Sequence, residues 1–257
     1  MAHRGGALHP DVVGRENTLH AFRSAVDLGY RYLETDVHAT RDGEVVAFHD
    51  ADLERVTGLR GRLSDLPYDE VAGALVGGTE PIPRLADLLE ELPEARFNVD
   101  LKSPHVVEPM VELVVRLGVQ DRLCIGAFAE RVLRRFRRLY AARSSVPLAT
   151  SCGFLASTVH AFAPFGHRLQ PLLGDAGLAY QVPVRFRERV PVVDRTFIER
   201  AHAIGRHVHV WTVDERAEIE RLLDFGVDGL ITDRTDVLRE VLIERGQWDQ
   251  GLWEGTR

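Results

Sequence analysis

Lysine is nearly absent from this chain. The sequence has 32 Lys and Arg side chains, and a single one of them, Lys102, is lysine. Arginine carries a wide planar guanidinium, whereas lysine carries a compact ammonium that fits a tight site and whose pKa responds to burial. Because surface positions accept either residue, we predict that position 102 keeps lysine for its chemistry, with chance retention as the alternative.

Cysteine and long apolar runs are also scarce. The two cysteines, Cys124 and Cys152, have no CxxC neighbour, so we expect two buried thiols rather than a disulfide or a metal-binding pair. No segment approaches the roughly 18 apolar residues of a membrane span, and no apolar run precedes His3. We therefore expect no stable membrane insertion, no signal peptide and, by default, a cytoplasmic location.

An overall excess of positive charge is missing as well. The formal net charge is -7, which argues against nucleic acid as a partner. The arginine-rich stretch 131–143 is a local exception, and its apolar residues recur at helical spacing. We interpret it as an amphipathic helix with a solvated basic face. The oligomeric state is left open.

Short β-branched runs alternate with amphipathic helices that end at glycine. The predicted strands are residues 2–4, 32–37, 99–101, 123–126, 146–150, 180–184, 207–213 and 229–232. We expect Asn17, Asp194 and Asp214 to cap helices. About eight βα units in 257 residues favour an α/β fold, a closed (β/α)8 TIM barrel. A doubly wound open sheet is the alternative, but no GxGxxG loop follows a strand.

Residues 51–80 interrupt this alternation. They are rich in Gly, Arg and Asp, and we interpret them as a small insertion near the barrel mouth. Residues 1–245 then form one barrel domain. Residues 246–257 are a polar C-terminal tail that we expect to pack loosely.

Charged side chains mark three of the predicted strands. The first strand ends in His3 and Arg4, the second carries Glu34 and Asp36, and the third carries Asp100 and Lys102. Active groups of a barrel lie at the carboxyl ends of its strands, and residues two apart point to one face. Three carboxylates facing one interior repel each other, so we expect a divalent cation among them. Oxygen ligands suit Mg²⁺ or Ca²⁺ better than Zn²⁺, with Mn²⁺ as a further candidate.

A hairpin signal follows the second strand. Asp42 and Gly43 stand between extended runs, and a two-residue turn there pairs Asp36 with His49. A three-residue turn shifts the pairing by one residue. In both registers His49 returns to the barrel mouth.

His3 and His49 are then two imidazoles beside one cation site. Imidazole titrates near neutral pH, so the pair can act as general base and general acid. Arg4 and Lys102 add fixed positive charge that suits a phosphate. We therefore predict phosphoryl chemistry rather than acyl or hydride transfer. A capping turn at His49 is the structural alternative.

These residues lie in motifs that resemble those of the glycerophosphodiester phosphodiesterase family. The motifs are AHRGG at 2–6, ENT at 16–18, LETDVHATRDGEVVAFHD at 33–50, LERVTG at 53–58, IPRLADLLE at 82–90, VDLK at 99–102, VHVWTV at 208–213 and DGLITDRTD at 228–236. The resemblance spans about residues 2–240 and is most specific in the first 50 residues.

The resemblance implies a barrel hydrolase that cleaves glycerophosphodiesters to glycerol 3-phosphate and an alcohol with a divalent cation. Carried over by motif, the acid/base pair is His3 and His49, and the metal ligands are Glu34, Asp36 and Asp100. Arg4 and Lys102 contact the phosphate, and Trp211 lines the substrate pocket. The chain departs from the family pattern at five positions, which are Arg15 for Pro, Asp100 for Glu, Ala127 for Ser, Asp214 for Asn and Thr235 for Pro.

Two rival functions stay open at this point. One is a phospholipase D-like enzyme that acts on lysolipids. The retained insertion argues against this function, because it favours a small polar substrate. The other is a catalytically silent protein that binds a phosphorylated metabolite, against which the intact histidines argue. No wide exposed aromatic stripe is visible in the sequence, so we expect no membrane dock. The nucleophile is either water or the glycerol 2-hydroxyl.

Overall fold

The computed structural model describes residues 1–163, 165–173, 177–187 and 189–248. Its strands are β1 (Ala2–His3), β2 (Tyr32–Ala39), β3 (Val45–Ala47), β4 (Leu75–Val76), β5 (Glu80–Pro81), β6 (Arg96–Leu101), β7 (Leu123–Gly126), β8 (Ala149–Thr150), β9 (Ala179–Pro183), β10 (Arg185–Phe186), β11 (Val190–Pro191), β12 (His207–Trp211) and β13 (Gly229–Leu230). Its α-helices are α1 (Leu19–Asp27), α2 (Glu54–Thr57), α3 (Tyr68–Val71), α4 (Leu85–Glu91), α5 (Val107–Leu117), α6 (Glu130–Ala141), α7 (Phe154–Phe162), α8 (Gly166–Leu173), α9 (Arg195–His202), α10 (Arg216–Phe225) and α11 (Thr235–Glu244).

Parallel strands form a closed barrel. Two sheets, with strand orders β1-β2-β6-β7-β8 and β13-β12-β9, supply its wall. Single parallel bridges from Ser151 to Ala179 and from Ala2 to Thr232 join the two sheets on both sides. The His3 amide reinforces the second junction by donating to the Thr232 carbonyl at 2.9 Å. The ring of eight strands confirms the predicted barrel and excludes the open sheet.

Apolar spacing decides which face each outer helix buries. In α5, the buried residues Val107, Met110, Val111 and Val114 recur every three or four positions, which turns one stripe toward the sheet. The helix ends at Gly118, whose φ of 67° lies in the left-handed region that glycine enters without a Cβ clash. Within the described ranges, no helix is long and apolar enough to span a membrane.

The arginine-rich stretch forms α6 and follows the prediction made for it. Its apolar face is buried around Phe136. Its basic face pairs with the neighbouring helix α5, where Arg135 lies 2.9 Å from Glu108 and Arg143 lies 3.0 Å from Glu112. These side chains are exposed, so the basic face is solvated, as expected.

Helix capping confirms one prediction and corrects another. The Asp194 carboxylate accepts a hydrogen bond from the Phe197 amide at 2.7 Å and caps α9, as predicted. Thr18, and not Asn17, caps α1, because its hydroxyl accepts from the Ala21 amide at 3.2 Å. Asn17 is one residue too early for the cap and points elsewhere.

The third predicted cap, Asp214, is wrong. Helix α10 is preceded by Glu215, and no side chain caps it. The Asp214 carboxylate instead accepts from the Thr232 hydroxyl at 2.9 Å and from the amides of Asp233 at 2.8 Å and Arg234 at 3.3 Å. The amides of Asp233 and Arg234 lie beyond the end of β13 and donate to Asp214 instead of to a strand. The Asp214 carboxylate therefore ties the loop after β12 to the loop after β13.

The insertion between β3 and β6 has its own small core. It contains α2, α3 and the antiparallel pair β4–β5. The buried residues of this core are Val46, Phe48, Leu53, Leu63, Val71, Ala74, Val76 and Ile82. The insertion therefore rests on the β2–β3 hairpin, next to the carboxyl end of β2.

The start of the C-terminal tail does not pack loosely. The Trp248 ring lies 4.9 Å from the Tyr30 ring in an edge-on arrangement, which holds the chain against the barrel. The expectation is therefore wrong at Trp248, and its remainder, residues 249–257, lies outside the described residues.

Both cysteines are thiols, as predicted. Cys152 is buried, and Cys124 is half-buried. Burial raises the pKa of the Cys124 thiol to about 12, so this sulfur stays protonated and unreactive at neutral pH.

Candidate active site

A cavity of about 570 Å³ opens at the carboxyl ends of the barrel strands. All eight residues predicted from the sequence line it, namely His3, Arg4, Glu34, Asp36, His49, Asp100, Lys102 and Trp211. They come from β1, β2, β6, β12 and the loops after β1, β3 and β6. The barrel therefore brings these residues to one mouth.

Lys102 sits between two of the predicted carboxylates. Its Nζ lies 2.7 Å from Asp36 Oδ1 and 2.8 Å from Asp100 Oδ2. Burial alone would lower the pKa of Lys102, but the charges of Asp100 and Asp36 outweigh it and raise the pKa above its usual range. The ammonium is therefore permanently charged and neutralises part of the acidic cluster.

Arg4 reaches the same cluster from the other side. Its Nε lies 3.0 Å from Asp36 Oδ2, and its Nη1 lies 3.1 Å from Glu16 Oε1. The residue has a left-handed φ of 52°, which is uncommon for arginine and costs energy. The two glycines that follow allow the tight turn, since a Cβ at Gly5 would meet Ala21 Cβ at 2.5 Å.

Glu34 is the least neutralised carboxylate of the cluster. It is 5% exposed, and burial together with the charge of Asp36 raises its pKa to about 8. Its Oε2 has the Arg4 amide at 3.3 Å and His3 Nε2 at 3.7 Å. For Asp36, burial would raise the pKa, but Lys102 and Arg4 outweigh it and lower the pKa.

The donor set suits a hard cation, but it is not arranged as a metal site. The carboxylates supply only oxygen atoms, which Mg²⁺, Ca²⁺ and Mn²⁺ accept, and Glu34 lacks a full positive partner. Among the described residues, however, no group of three or more His, Cys, Asp or Glu side chains is placed to hold a metal ion. The Lys102 ammonium occupies the space between Asp36 and Asp100.

His3 is oriented by a residue that the sequence reasoning missed. Its Nδ1 lies 2.8 Å from Asp233 Oδ1, in the loop after β13. Burial lowers the pKa of His3, but the hydrogen bond to Asp233 and the charge of Glu34 outweigh it, so the net pKa is raised. With Nδ1 engaged, Nε2 is left on the side of Glu34 to exchange a proton.

His49 has a partner of the same kind. Its Nδ1 lies 2.6 Å from Asp50 Oδ1, and its backbone carbonyl is 3.1 Å from His38 Nε2. The ring lines the cavity and is one-third exposed. Two imidazoles, each with a carboxylate on Nδ1, therefore face one acidic cluster, which is the arrangement that a general acid and a general base require.

The β2–β3 hairpin has the three-residue turn rather than the two-residue one. Ala39 pairs with Val45, and the Phe48 amide donates to the Asp36 carbonyl at 2.9 Å. Asp36 therefore faces Phe48, so its predicted pairing with His49 is wrong by one residue. Gly43 closes the turn with a φ of 89°, the left-handed position that this longer turn needs.

Asn17 also belongs to the site. Its amide nitrogen donates to Asp36 Oδ2 at 3.2 Å, and its amide oxygen accepts from the Thr35 hydroxyl at 2.8 Å. It holds a left-handed φ of 58° to reach there, a conformation that asparagine tolerates. The signal for it was the ENT motif, which the cap interpretation assigned to the wrong role.

The far wall of the cavity is apolar. Its aromatic members are Phe128, Phe154, Phe162, Phe186 and Trp211. Phe128 is 71% exposed and Phe162 is 51% exposed. The expectation that the chain exposes no aromatic stripe is therefore wrong at the barrel mouth. These side chains come from the loop after β7, from α7, from β10 and from β12, so they could not be grouped from the sequence.

The fold and the residues at its mouth define a barrel enzyme of phosphoryl chemistry. The chain matches the glycerophosphoryl diester phosphodiesterase family over residues 3–237. It is 42% identical over 251 residues to "Probable glycerophosphodiester phosphodiesterase 2" of Mycobacterium tuberculosis, with 97% of this chain and 92% of that protein covered. It is 27% identical over 276 residues to a lysophospholipase D of Rattus norvegicus, with 94% and 85% covered.

A solved structure agrees with the fold. The phosphodiesterase of Oleispira antarctica, determined in complex with the product sn-glycerol-3-phosphate, matches with a TM-score of 0.77 at 21% identity, over 94% of this chain and 95% of that one. The family match spans most of the chain, so the chain belongs to the glycerophosphoryl diester phosphodiesterase family. It is a phosphoric diester hydrolase, and the family resemblance of its motifs is confirmed.

Proposed function

We propose that this chain hydrolyses glycerophosphodiesters to glycerol 3-phosphate and an alcohol, with a divalent cation and with His3 and His49 as the acid/base pair. The observation that carries the proposal is the pair of imidazoles, held on Nδ1 by Asp233 and Asp50 at 2.8 and 2.6 Å. The solved relative with bound sn-glycerol-3-phosphate supports the product.

By their chemistry, Glu34, Asp36 and Asp100 would supply the oxygen ligands of the cation, Mg²⁺ or Ca²⁺, with Mn²⁺ as a further candidate. The Lys102 ammonium would have to leave the space between Asp36 and Asp100 for the cation to bind there. When bound, the cation supplies positive charge that neutralises the phosphodiester and the carboxylates together. The raised pKa of Glu34 supports this assignment, because a buried carboxylate without a full counter-charge gains from a cation.

The residues around the acidic cluster then have separate roles in the reaction. Arg4, with its guanidinium at the cavity wall, contacts the phosphate oxygens, and Lys102 adds a second positive charge. One histidine accepts the proton of the nucleophile through Nε2, and the other donates a proton to the departing alkoxide. Water and the glycerol 2-hydroxyl are both candidates for the nucleophile.

The test is release of glycerol 3-phosphate from glycerophosphocholine and glycerophosphoethanolamine. The reaction is run in EDTA and then with Mg²⁺, Ca²⁺ or Mn²⁺ added. We expect metal-dependent release that is lost in His3→Ala and His49→Ala, while both variants bind glycerol 3-phosphate within a few fold of the wild type. Folded protein that releases nothing with any metal would leave a lysolipid enzyme or a phosphometabolite-binding protein.

The apolar wall favours a second candidate, a lysolipid substrate. Five aromatic side chains line the same cavity as the charged cluster, and an acyl chain against them gains about 0.8 kcal/mol per buried CH₂. The lysophospholipase D relative supports the same idea. The test compares kcat/KM for lysophosphatidylcholine and glycerophosphocholine in the wild type and in Phe162→Ser. A lysolipid enzyme loses activity selectively on the lysolipid, whereas a glycerophosphodiesterase changes little on either.

A further inference from the structure

Arg55 connects the insertion to both halves of the active site. We propose that it is a positioning residue that fixes His49 through Asp50 and Arg4 through Glu16, which gives the insertion a role in the reaction. The inference rests on the proposed function for its kinetic test and on geometry alone for its spectroscopic test.

A continuous chain of ion pairs carries the inference. Arg55 Nη2 lies 2.7 Å from Glu16 Oε1, and Arg55 Nη1 lies 3.1 Å from Glu16 Oε2. The same guanidinium donates from Nε to Asp50 Oδ2. Glu16 Oε1 also accepts from Arg4 Nη1 at 3.1 Å, and Asp50 Oδ1 lies 2.6 Å from His49 Nδ1. One guanidinium therefore holds two carboxylates, and each carboxylate holds one functional side chain.

Each carboxylate in this chain uses different oxygen atoms or lone pairs for its two partners. Asp50 gives Oδ1 to His49 and Oδ2 to Arg55, so rotation about its carboxyl bond would break both contacts. Burial would raise the pKa of Glu16 and of Asp50, but the hydrogen bonds from Arg55 outweigh it and lower both. Both groups are therefore anionic, as acceptors from Arg4 and His49 must be.

The guanidinium geometry makes arginine necessary here. A planar fork can bind Glu16 with two nitrogens and Asp50 with the third, whereas an ammonium is a single point charge. The Arg55 side chain is 47% exposed, so each ion pair contributes little to folding stability. Removal of Arg55 should consequently alter the positions of side chains more than it alters the stability of the fold.

The insertion core holds Arg55 in place. Arg55 belongs to α2, which Leu53 anchors in the insertion core from one side. The Gly77 amide donates to the carbonyl of Val56 at 2.9 Å from the other side. Gly58 ends α2 with a left-handed φ of 71°. The position of Arg55 is therefore set by the packing of the insertion and not by the barrel.

The kinetic experiment separates the two contacts of Arg55, one with Asp50 and one with Glu16. Asp50→Asn should lower mainly kcat, Glu16→Gln should raise mainly KM, and Arg55→Ala should do both, with a fall in kcat/KM of about 10- to 100-fold. Arg55→Ala combined with Asp50→Asn should lower kcat no further than Asp50→Asn alone. Arg55→Gln keeps the side-chain stem and should behave like Arg55→Ala if the alanine variant folds poorly. Arg60→Ala is the matched control, because Arg60 lies in the same insertion and is 91% exposed.

A spectroscopic experiment needs no turnover. In protein with ¹⁵N-labelled histidine, Arg55→Ala and Asp50→Asn should shift the His49 ring nitrogen signals, and Arg60→Ala should leave them unchanged. If the wild type hydrolyses nothing, the spectroscopic experiment still tests whether Arg55 positions His49. The proposal is overturned by an Arg55→Ala protein with wild-type His49 signals, by kinetic constants within twofold of the wild type, or by effects of Arg55→Ala and Asp50→Asn that multiply independently.

Discussion

At the scale of single residues, position 102 shows what an ammonium does that a guanidinium does not. Its Nζ fits between two carboxylates at 2.7 and 2.8 Å, while its side chain stays 24% exposed. A guanidinium is wider and binds carboxylates side by side as a planar fork. The retained lysine therefore matches its surroundings, and its role in the chemistry of the site stays a prediction.

Lys102→Arg should lower kcat/KM by about 100-fold, because the larger head displaces Asp36 and Asp100 from a site that needs fixed geometry. Steady-state kinetics on glycerophosphocholine measure the effect. Arg60→Lys, a change of the same kind at an exposed position, is the control. Activity within twofold of the wild type in Lys102→Arg would show that position 102 needs only a positive charge.

His209 should make folding stability fall at low pH. Burial lowers its pKa to about 4 in the folded protein, against about 6.5 in the unfolded chain. Below pH 6.5 the unfolded chain binds a proton at His209 that the folded protein does not bind. The contribution of His209 to the free energy of unfolding is therefore complete above pH 6.5 and falls by about 3 kcal/mol toward pH 4. Urea unfolding of the wild type and His209→Asn from pH 4 to 7.5 measures the difference. Parallel curves would contradict it.

At the scale of elements, the approach of β1 to α1 depends on a glycine. Gly5 has a φ of 86°, and a Cβ there would lie 2.5 Å from Ala21 Cβ in α1. The chain must turn sharply after His3 and Arg4 to deliver both side chains to the mouth. The close packing of this turn against α1 therefore fixes the first two functional residues of the chain.

Gly5→Ala should destabilise the protein by about 3 kcal/mol or more, from the left-handed backbone and the clash with α1 together. Gly14→Ala is the matched control, because Gly14 has a φ of 80° but no atom within 4 Å of its Cβ position. It should cost about 1–2 kcal/mol, from the backbone alone. Chemical denaturation measures both, and equal losses would show that the contact with α1 contributes nothing.

The elements also show how far local sequence signals reach. Strands and helix ends were predictable because β-branched runs and glycine are local, and α5 ends at Gly118 as expected. The hairpin register was wrong by one residue, because Asp42-Gly43 fits turns of either length. Asn17 and Thr18 are adjacent and both are good cap residues, so only the tertiary contact with Asp36 decides between them.

At the scale of the whole molecule, binding of a cation to the folded chain should raise its melting temperature. A ligand that binds only the folded state at 100 times its dissociation constant adds about 2.7 kcal/mol. Differential scanning calorimetry in EDTA and in Mg²⁺, Ca²⁺ or Mn²⁺ measures this. Glu34→Gln should be more stable than the wild type in EDTA, because the raised pKa of about 8 means that the buried Glu34 carboxyl must take up a proton on folding at neutral pH, which glutamine need not do, and it should lose the shift. An equal shift in both proteins would place the cation elsewhere.

The long-range partners could not be predicted in the same way. The eight predicted residues meet at one cavity because barrel strands end on one side. Asp233 was missed as the partner of His3, which lies 230 positions away. Arg55 was missed as the link between Glu16 and Asp50, because its position depends on the insertion core. Asp233 lies in a loop and Arg55 in a four-residue helix, and neither segment is long enough to carry a periodic pattern that records the contact.

The pairing of His3 with Asp233 also fixes when the active site can exist during synthesis of the chain. The carboxylate of Asp233 is synthesised 230 residues after the imidazole of His3. At about 5–20 residues per second, this interval is roughly 10 to 50 seconds. The strand that carries the imidazole also waits for Thr232 to close the barrel. The His3–Asp233 pair therefore cannot form on a nascent chain until residue 233 has been synthesised and the barrel can close.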